Sequence, residues 1–290
     1  MKILVTGGSG FIGKAFIKQY RNKFDIVAPT HAQMDLKDAR AIDRFFGAQK
    51  FDAVVHLAGT TERGDLSAIE VDNLIMFKNI QYMSIAHGVK KLIIVGEGSE
   101  FDRNKPIVDI TEDMIGKAIP VDGYGLGKYL INVLAAKDKI TTNLRIFSVY
   151  GAGGSREISK IIAAGAKGKK SITIDRDRTV SGVYIDDATR VIAEFLRGDL
   201  PMGDYNLVSG DKTSYLAVAK QVKRLVRKEG GDIEIKVKSE GEDYEYTASN
   251  EKLLSVLPIR FTPFATGVKK TFEELKPKKR IMIVAGDDEE

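Results

Sequence analysis

The residue pair with the clearest chemical potential is Tyr124 and Lys128, in the segment YGLGK. Residues four apart on a helix share one face, so the phenol and the ammonium are neighbours if this segment is helical. A free tyrosine has a pKa near 10, and bringing that pKa to about 7 needs about 4 kcal/mol of differential stabilisation. The ammonium and a second cation, in a partly desolvated pocket, can supply that much. The pair predicts a tyrosine that exchanges a proton with an alcohol or carbonyl. The alternative is a solvated helix face.

A glycine-rich turn, TGGSGFIG at 6–13, lies between an apolar run and a helix-like stretch. Its first glycines permit a tight turn and a close approach of the backbone to a pyrophosphate, and its last glycine lets the helix pack on the strand. The helix N-terminus offers free N–H groups to the phosphates. The turn therefore predicts dinucleotide binding, with an ordinary glycine-rich turn as the alternative. Its predicted cofactor-binding residues are Gly7, Ser9, Gly10, Phe11, Ile12 and Gly13.

The residues after the second apolar run bear on the choice of dinucleotide. NAD-binding folds place an acidic residue there to hold the ribose hydroxyls. Here the run continues into Pro29, Thr30 and His31 without a carboxylate, so a 2′-phosphate would not be repelled. Arg40 follows in the next helical stretch, while Asp35 is either a ribose ligand or the N-cap of that helix. The pattern favours NADP over NAD as cofactor.

The elements that must position these residues are short apolar runs alternating with longer stretches of helical spacing. The apolar runs are 2–5, 26–28, 53–57, 92–95 and 144–147, and the helical stretches are 14–20, 39–46, 72–86 and 124–137. This alternation predicts right-handed βαβ crossovers and a parallel sheet covered on both faces. Ligands of such a sheet bind beyond the carboxyl ends of its strands. The predicted fold class is therefore α/β, a doubly wound Rossmann sheet.

The pattern changes after residue 151, which predicts a second, smaller unit. We assign 1–151 to the dinucleotide-binding domain, with 181–200 returning to it. A discontinuous C-terminal substrate lobe then comprises 152–180 and 201–275. The remaining tail, 276–290, contains a basic run that is more typical of a solvated end than of a nucleic-acid site.

Composition narrows the function classes. The chain has 290 residues, no cysteine and three scattered histidines, which excludes disulfides, thiolate nucleophiles and Cys-ligated zinc and disfavours a metal site. The net charge of +5 is too small to indicate a nucleic-acid partner. No apolar run approaches the ~18 residues of a membrane span. We therefore expect a cytoplasmic protein with a small-molecule substrate.

Several ordered motifs resemble those of the extended short-chain dehydrogenase/reductases, the NAD(P)-dependent epimerase/dehydratase family, over about residues 1–275. Besides the turn and the YGLGK pair, the similar segments are DLKD at 35–38, HLAG at 56–59, LRIFSVYGAG at 144–153 and VYIDD at 183–187. The short link before DLKD is most similar to the branch of GDP-fucose synthases and dTDP-4-keto-sugar reductases, which typically uses NADPH. The resemblance implies adenine-side contacts from Asp35 and Leu36 and nicotinamide-side contacts from Leu57, Ala58 and Gly59.

The resemblance also implies a hydroxyl residue after the fourth strand, which would hydrogen-bond the reacting oxygen. Glu97 occupies that position here, and Ser99 lies two residues further on. We therefore take Ser99 as the third catalytic residue, with a loop serine as the alternative, while Glu97 would serve only if protonated. The Thr-Asp-Glu run of the dehydratases has no equivalent, which argues against dehydration.

The predicted function is NAD(P)-dependent hydride transfer on a nucleotide-activated sugar, as an epimerase or reductase, with Tyr124 as acid/base and Lys128 supporting it. The family's arginine before VYIDD is absent, so Arg176 or Arg178 would have to replace it, and a reductase of a non-sugar carbonyl stays open. A non-catalytic NAD(P) sensor is the rival from another class. The resemblance further implies a homodimer through helices 72–86 and 124–137, with Ile75, Ile80 and Met83 either on that face or in the core.

Overall fold

A computed structural model describes residues 1–60, 66–241 and 245–277. Its strands are β1 (Lys2–Thr6), β2 (Asp25–Val27), β3 (Ala53–His56), β4 (Lys91–Glu97), β5 (Ile107–Ile110), β6 (Thr141–Ile146), β7 (Ser148–Tyr150), β8 (Ser171–Ile174), β9 (Thr179–Tyr184), β10 (Asp204–Leu207), β11 (Lys212–Ser214), β12 (Glu234–Val237) and β13 (Tyr246–Ala248). Its α-helices are α1 (Phe11–Tyr20), α2 (Ala39–Gly47), α3 (Leu66–Ala86), α4 (Gly123–Ala135), α5 (Glu157–Ala166), α6 (Ile185–Arg197), α7 (Tyr215–Lys228), α8 (Glu251–Val256) and α9 (Phe264–Leu275).

The main sheet has six parallel strands in the order β2-β1-β3-β4-β6-β10. Its inner strands are apolar on both faces, and Ile3, Leu4 and Val5 of β1 are fully buried. Helices α1 and α6 cover one face of this sheet, and α2, α3 and α4 cover the other. Burial on both faces explains why these strands read as continuous apolar runs. The predicted α/β class and doubly wound sheet are confirmed.

The order in which successive strands are added to this sheet reverses after β2. Strand β2 is added on one side of β1, whereas β3, β4 and β6 are added in turn on the other side. At such a switch point the connections after neighbouring strands leave to opposite faces, which opens a crevice at the carboxyl ends. The turn after β1 and the HLAG segment after β3 meet at this crevice.

The second half builds a separate hydrophobic core. Helices α5, α7 and α9 pack around it with β8 and β9. A second sheet runs β11-β9-β13-β5, with β7 also paired to β9, and β8 pairs with β12. Neither β5 nor β13 is a strand that the apolar spacing predicts.

Two boundaries in the second half differ from the predicted ones. Strand β10, within the predicted lobe segment 201–275, pairs with β6 in the main sheet, because β6 otherwise leaves an open edge. In the segment 181–200, β9 lies in the second sheet, and α6 returns to pack on α1. The predicted tail 276–290 lies outside the described residues from 278 onward.

The predicted dimer face on α3 is only partly available. Ile80 is fully buried in the core beneath α3, so of the two alternatives left open for it the structure supports the core. Val71, Tyr82 and Ile85 are exposed by 52%, 66% and 52%, and Ile75 by 38%.

In the parts of the chain that the structure describes, no helix is long and apolar enough to cross a bilayer.

Candidate active site

The turn between β1 and α1 has a shape that only glycine permits at two positions. Gly7 adopts φ +70°, and a Cβ atom there would lie 2.5 Å from the backbone nitrogen of Ala58. A Cβ atom on Gly13 would overlap the carbonyl oxygen of Gly7. At both positions the backbone packs directly against other backbone atoms, which leaves no room for a side chain.

Helix α1 begins at this turn without a side-chain cap in the described residues. Its N-cap is Gly10, with φ −73° and ψ 176°, and its N–H group donates to the Gly7 carbonyl at 3.0 Å. Ser9 is exposed beside it, and Phe11 opens the helix. First-turn N–H groups without protein partners and the positive end of the helix dipole suit an anion. The turn therefore fits a dinucleotide pyrophosphate.

The segment after β2 holds the residues predicted on the adenine side. The Asp35 carboxylate accepts a hydrogen bond from the Lys37 backbone N–H at 2.9 Å, and His31 lies 3.5 Å from it. The N-cap of α2 is Asp38, which accepts from the Arg40 N–H at 2.9 Å, so the alternative of an Asp35 cap is wrong. Asp35 forms the turn that precedes the cap instead.

A cavity of about 490 Å³ opens at the carboxyl ends of β3, β4 and β6. The predicted residues that line it are Ile12, Leu57, Ala58, Gly59, Tyr124 and Lys128. Asp35 and Leu36 lie outside it, and Leu36 is buried against the core of that face. Of the glycine turn only Ile12 is among the lining residues, and the other predicted turn residues, Gly7, Ser9, Gly10, Phe11 and Gly13, are not.

Helix α4 positions that pair. The Asp122 carboxylate caps the helix by accepting from the Gly125 N–H at 2.9 Å, so the helix begins one residue before Tyr124. The Lys128 ammonium, one turn later, lies 3.5 Å from the Val95 carbonyl oxygen near the end of β4. Both side chains reach the cavity from the same side.

The Tyr124 hydroxyl donates a hydrogen bond to Oε2 of Glu97, the last residue of β4. The other oxygen of that carboxylate lies 4.0 Å from the Arg156 guanidinium. The backbone N–H of Glu97 donates to Oε1 of Glu100 at 2.9 Å, which ties the strand end to the following 3-10 turn. Glu97 therefore stands where the family resemblance implies a hydroxyl group.

Ser99 is the predicted catalytic residue that the structure does not bring to the cavity. Its side chain is fully buried, and its hydroxyl has no hydrogen-bond partner within the described residues. The 3-10 turn Gly98–Glu100 packs against α4, where a Cβ on Gly125 would lie 2.6 Å from the Ser99 carbonyl oxygen. This packing turns Ser99 inward and leaves Glu97 at the Tyr124 hydroxyl.

A buried ionic network holds the 3-10 turn Gly98–Glu100 in place through Glu100. Arg145 on β6 is fully buried and donates to Glu100 at 2.8 Å, to Asn206 at 2.9 Å and to Asp204 at 2.5 Å. Burial raises the pKa of Glu100, and the Arg145 guanidinium opposes that rise. The network joins β4, β6 and β10, so it holds the end of the sheet that carries Glu97.

His56, at the end of β3, also faces the cavity. Burial, with a smaller contribution from the Lys128 ammonium, lowers the pKa of His56 to about 3. Its Nδ1 atom lies 2.7 Å from the Thr6 hydroxyl. The imidazole is therefore neutral, and it adds no positive charge beside Tyr124.

Several lining residues come from segments that periodicity does not single out. Arg103 follows the 3-10 turn, Arg156 precedes α5, and Tyr246 opens β13. Tyr246 is packed 5.2 Å from the Phe147 ring, and burial raises its pKa well above the ordinary value. Arg178 lines the cavity as one of the two suggested replacements for the family arginine. The glycine-rich turn at 151–154, just before Arg156, is the sequence feature that could have indicated a cavity residue there.

Comparison with known proteins finds relatives and solved structures that are similar to this chain over most of its length. The chain is 26% identical to GDP-L-fucose synthase from Azorhizobium caulinodans, with 78% of this chain and 80% of that protein covered. It is 25% identical to UDP-glucose 4-epimerase from Corynebacterium glutamicum, with 94% of each covered. The crystal structure of a GDP-L-fucose synthetase from Naegleria fowleri bound to NADP shares the fold, with a TM-score of 0.81, 23% identity and coverage of 94% and 92%.

The family comparison covers most of the described fold. The NAD dependent epimerase/dehydratase family matches residues 3–207, from β1 to the last strand of the main sheet. That span includes the glycine turn, the HLAG segment and the tyrosine–lysine helix. The chain belongs to the NAD dependent epimerase/dehydratase family.

Proposed function

We propose that this enzyme transfers hydride between a nicotinamide dinucleotide and a carbinol or keto carbon of a nucleotide-activated sugar. The observation that carries the proposal is that Tyr124 and Lys128 line one cavity together with Ile12 of the glycine turn and with the HLAG segment. The bound dinucleotide would supply or accept the hydride. The protein residues would orient the substrate and move the proton at the reacting oxygen.

Tyr124 acts as the acid or base at that oxygen. Its hydroxyl is at the base of the cavity, and α4 is capped so that its position is set by the helix start. Lys128 provides a positive charge one turn away and would hold the nicotinamide ribose. His56 lines the same cavity and is neutral, so it adds no positive charge to that of Lys128.

The substrate class is proposed from charge. The described cationic side chains around the cavity outnumber the carboxylates, and they come from four different segments: Arg103, Lys128, Arg156, Lys160 and Arg178. A nucleoside diphosphate carries negative charge that such a wall attracts. The relatives named as GDP-L-fucose synthase and UDP-glucose 4-epimerase support the same class.

NADP is the proposed cofactor. Strand β2 ends at Val27, and the Thr30 backbone N–H and hydroxyl are engaged by Gln33 at 2.8 and 3.0 Å, with no carboxylate at the strand end. Arg40 stands exposed in the first turn of α2. We expect NADPH to bind at least tenfold more tightly than NADH in a fluorescence titration. Arg40→Ala should reduce that ratio, whereas Arg44→Ala, on the last turn of the same helix, should not.

The test of the function is hydride transfer itself. Purified protein with NADPH is assayed against a panel of nucleoside diphosphate 4-keto sugars and simple ketones. Tyr124→Phe should lower turnover by about 10²–10⁴-fold, the usual contribution of a positioned acid or base, with NADPH binding retained. Tyr129→Phe is the matched control, because Tyr129 lies on the same helix but outside this cavity.

The outcomes separate the rivals. Thermal stabilisation by one nucleoside diphosphate, together with turnover that depends on Tyr124, supports the proposal. Turnover on ketones without any response to nucleoside diphosphates would favour a reductase of non-sugar carbonyls. NADPH binding without turnover on any substrate, or full activity of Tyr124→Phe, would leave only a cofactor-binding sensor.

A further inference from the structure

We propose that Glu97 holds Tyr124 in its protonated form and thereby makes this site a reductase of keto groups. A centre that begins by oxidising a hydroxyl, as epimerisation at a carbinol carbon does, needs a phenolate instead. The inference deepens the proposed function and rests on it for the substrate class. Its basis is the contact between the last residue of β4 and the first turn of α4.

The contact joins two groups of very different acidity. The Tyr124 hydroxyl donates to Glu97 Oε2 inside the cavity, and both residues line it. In unstructured peptides a glutamate ionises near pH 4.3 and a tyrosine near pH 10. At neutral pH the single proton between them therefore belongs to the phenol, and the carboxylate accepts from it. A hydrogen bond to the neutral form of an acid disfavours its ionisation.

Removing the proton from Tyr124 would place two negative charges in hydrogen-bond contact. Like charges at that distance strongly disfavour the doubly ionised state. A family hydroxyl at the position of Glu97 would donate to a phenolate and stabilise it, whereas a carboxylate has no proton to donate. A carboxylate at position 97 therefore disfavours ionisation of Tyr124, whereas a hydroxyl group there would favour it.

The other charges around the pair moderate this effect without reversing it. On α4, Lys128 favours the phenolate, and Arg156, before α5, lies 4.0 Å from the far oxygen of Glu97. Arg156 therefore lies within ion-pair distance of the carboxylate, on the oxygen that does not accept from Tyr124. Among the residues that the structure describes, the other charged or titratable groups lining the cavity are His56, Arg103, Glu157, Lys160, Arg178, Tyr215 and Tyr246.

The position of Glu97 is held by the network beneath it. Its N–H group donates to Glu100, and Glu100 is held in turn by the fully buried Arg145. The carboxylate is therefore set by the strand end rather than by a free loop. A substrate that enters the cavity meets a phenol already bonded to an acceptor.

The step that this arrangement supports is balanced as a reduction. The carbonyl carbon gains a hydride from a reduced nicotinamide dinucleotide, which is oxidised, and the C=O double bond becomes a C–O single bond. The carbonyl oxygen gains the proton that the Tyr124 oxygen loses. Tyr124 is then reprotonated from water through the open cavity. The keto substrate must come from a reaction that oxidises or dehydrates a nucleotide-activated sugar.

The test measures the ionisation of Tyr124 directly. The absorbance of tyrosinate at 295 nm is followed against pH for the wild type and Glu97→Gln, and the same curves for Tyr124→Phe in each background are subtracted. Glutamine keeps the shape of glutamate and removes its charge. We expect the Tyr124 midpoint to fall by at least one pH unit in Glu97→Gln, a tenfold change in its ionisation constant. Glu157→Gln removes a carboxylate that lines the same cavity from α5 rather than from the end of β4, and it should leave the midpoint in place.

A midpoint that is unchanged or higher in Glu97→Gln would overturn the proposal, as would an equal shift in Glu157→Gln. A second arm tests the direction of the reaction. With NADPH the wild type should reduce a nucleoside diphosphate 4-keto sugar, and with NAD⁺ or NADP⁺ it should not convert UDP-glucose or GDP-mannose into 4-epimers. Epimerisation at a rate within tenfold of the reduction would also overturn it.

If the proposed function is wrong, the activity assay and the titration give a different combination of results. If no nucleotide sugar is turned over in either direction, the substrate class above is wrong. The titration still decides the role of Glu97, because it requires only the folded chain. A retained circular dichroism spectrum and NADPH affinity in each variant confirm that the comparison is between folded proteins.

Discussion

Replacement of Arg145 by methionine tests whether the buried network supports the site. The side chain is fully buried, and its donors reach Glu100, Asp204 and Asn206 at 2.5–2.9 Å. Methionine fills a similar volume and supplies no donor. Glu100, itself 1% exposed, would then be a buried carboxylate without its counter-ion.

The expected cost follows from that unpaired charge. Removing one partner of a buried ion pair destabilises a protein by about 3–5 kcal/mol. At roughly 2 °C per kcal/mol for a chain of this size, the melting temperature should fall by about 6–10 °C. Lys37→Met is the control, because its 3.1 Å pair with Asp72 is nearly half exposed and is worth at most about 1 kcal/mol.

The pH dependence of this cost has a definite sign. Burial already raises the pKa of Glu100, and loss of Arg145 raises it further. The folded state then binds a proton that the unfolded state releases above pH ~4.3, so stability falls as pH rises. Calorimetry should therefore show a larger deficit for Arg145→Met at pH 8 than at pH 5. A melting temperature no lower than that of Lys37→Met, or a deficit that grows toward low pH, would refute the reasoning.

Three further predictions concern the cofactor turn, the cavity histidine and the α3 face. Gly13→Val should weaken NADPH binding at least tenfold in a fluorescence titration, because its side chain meets the Gly7 carbonyl, while Gly47→Ala, in open space, should have no effect. The His56 ring should show no titration between pH 8 and 5 by NMR, and because its folded pKa is about 3, its contribution to stability should decline as pH falls below about 6.5. If the predicted homodimer uses α3, Tyr82→Lys should convert it to a monomer in light scattering; an unchanged mass would exclude this face.

Much of the fold could be predicted because its determinants are local. The runs that became β1, β3 and β4 are buried on both faces, so their central residues are apolar and the polar residues stand at their ends. Strands β5 and β13 escaped prediction, because only part of each is buried and each depends on a distant partner. Strand β10 was not predicted either, because it depends on pairing with β6, which is distant in the chain.

The sequence by itself determined the chemistry that spacing can encode. Within the turn, Gly7 has a positive φ and Gly13 contacts the Gly7 carbonyl, so both positions favour glycine for local reasons. Tyr124 and Lys128 share a face because a helix repeats every 3.6 residues. The N-terminal position of Tyr124 on α4 also follows from a local signal, the cap two residues earlier.

Only the tertiary structure decided which group meets the Tyr124 hydroxyl. Glu97 and Ser99 are two residues apart, and either choice is compatible with the motif. The packing of the 3-10 turn against α4 buries Ser99 and leaves Glu97 at the cavity. Likewise Arg156 and Tyr246 reach the site from separate elements of the second half. Such contacts depend on how elements distant in the chain pack together, and no periodicity along the chain records that.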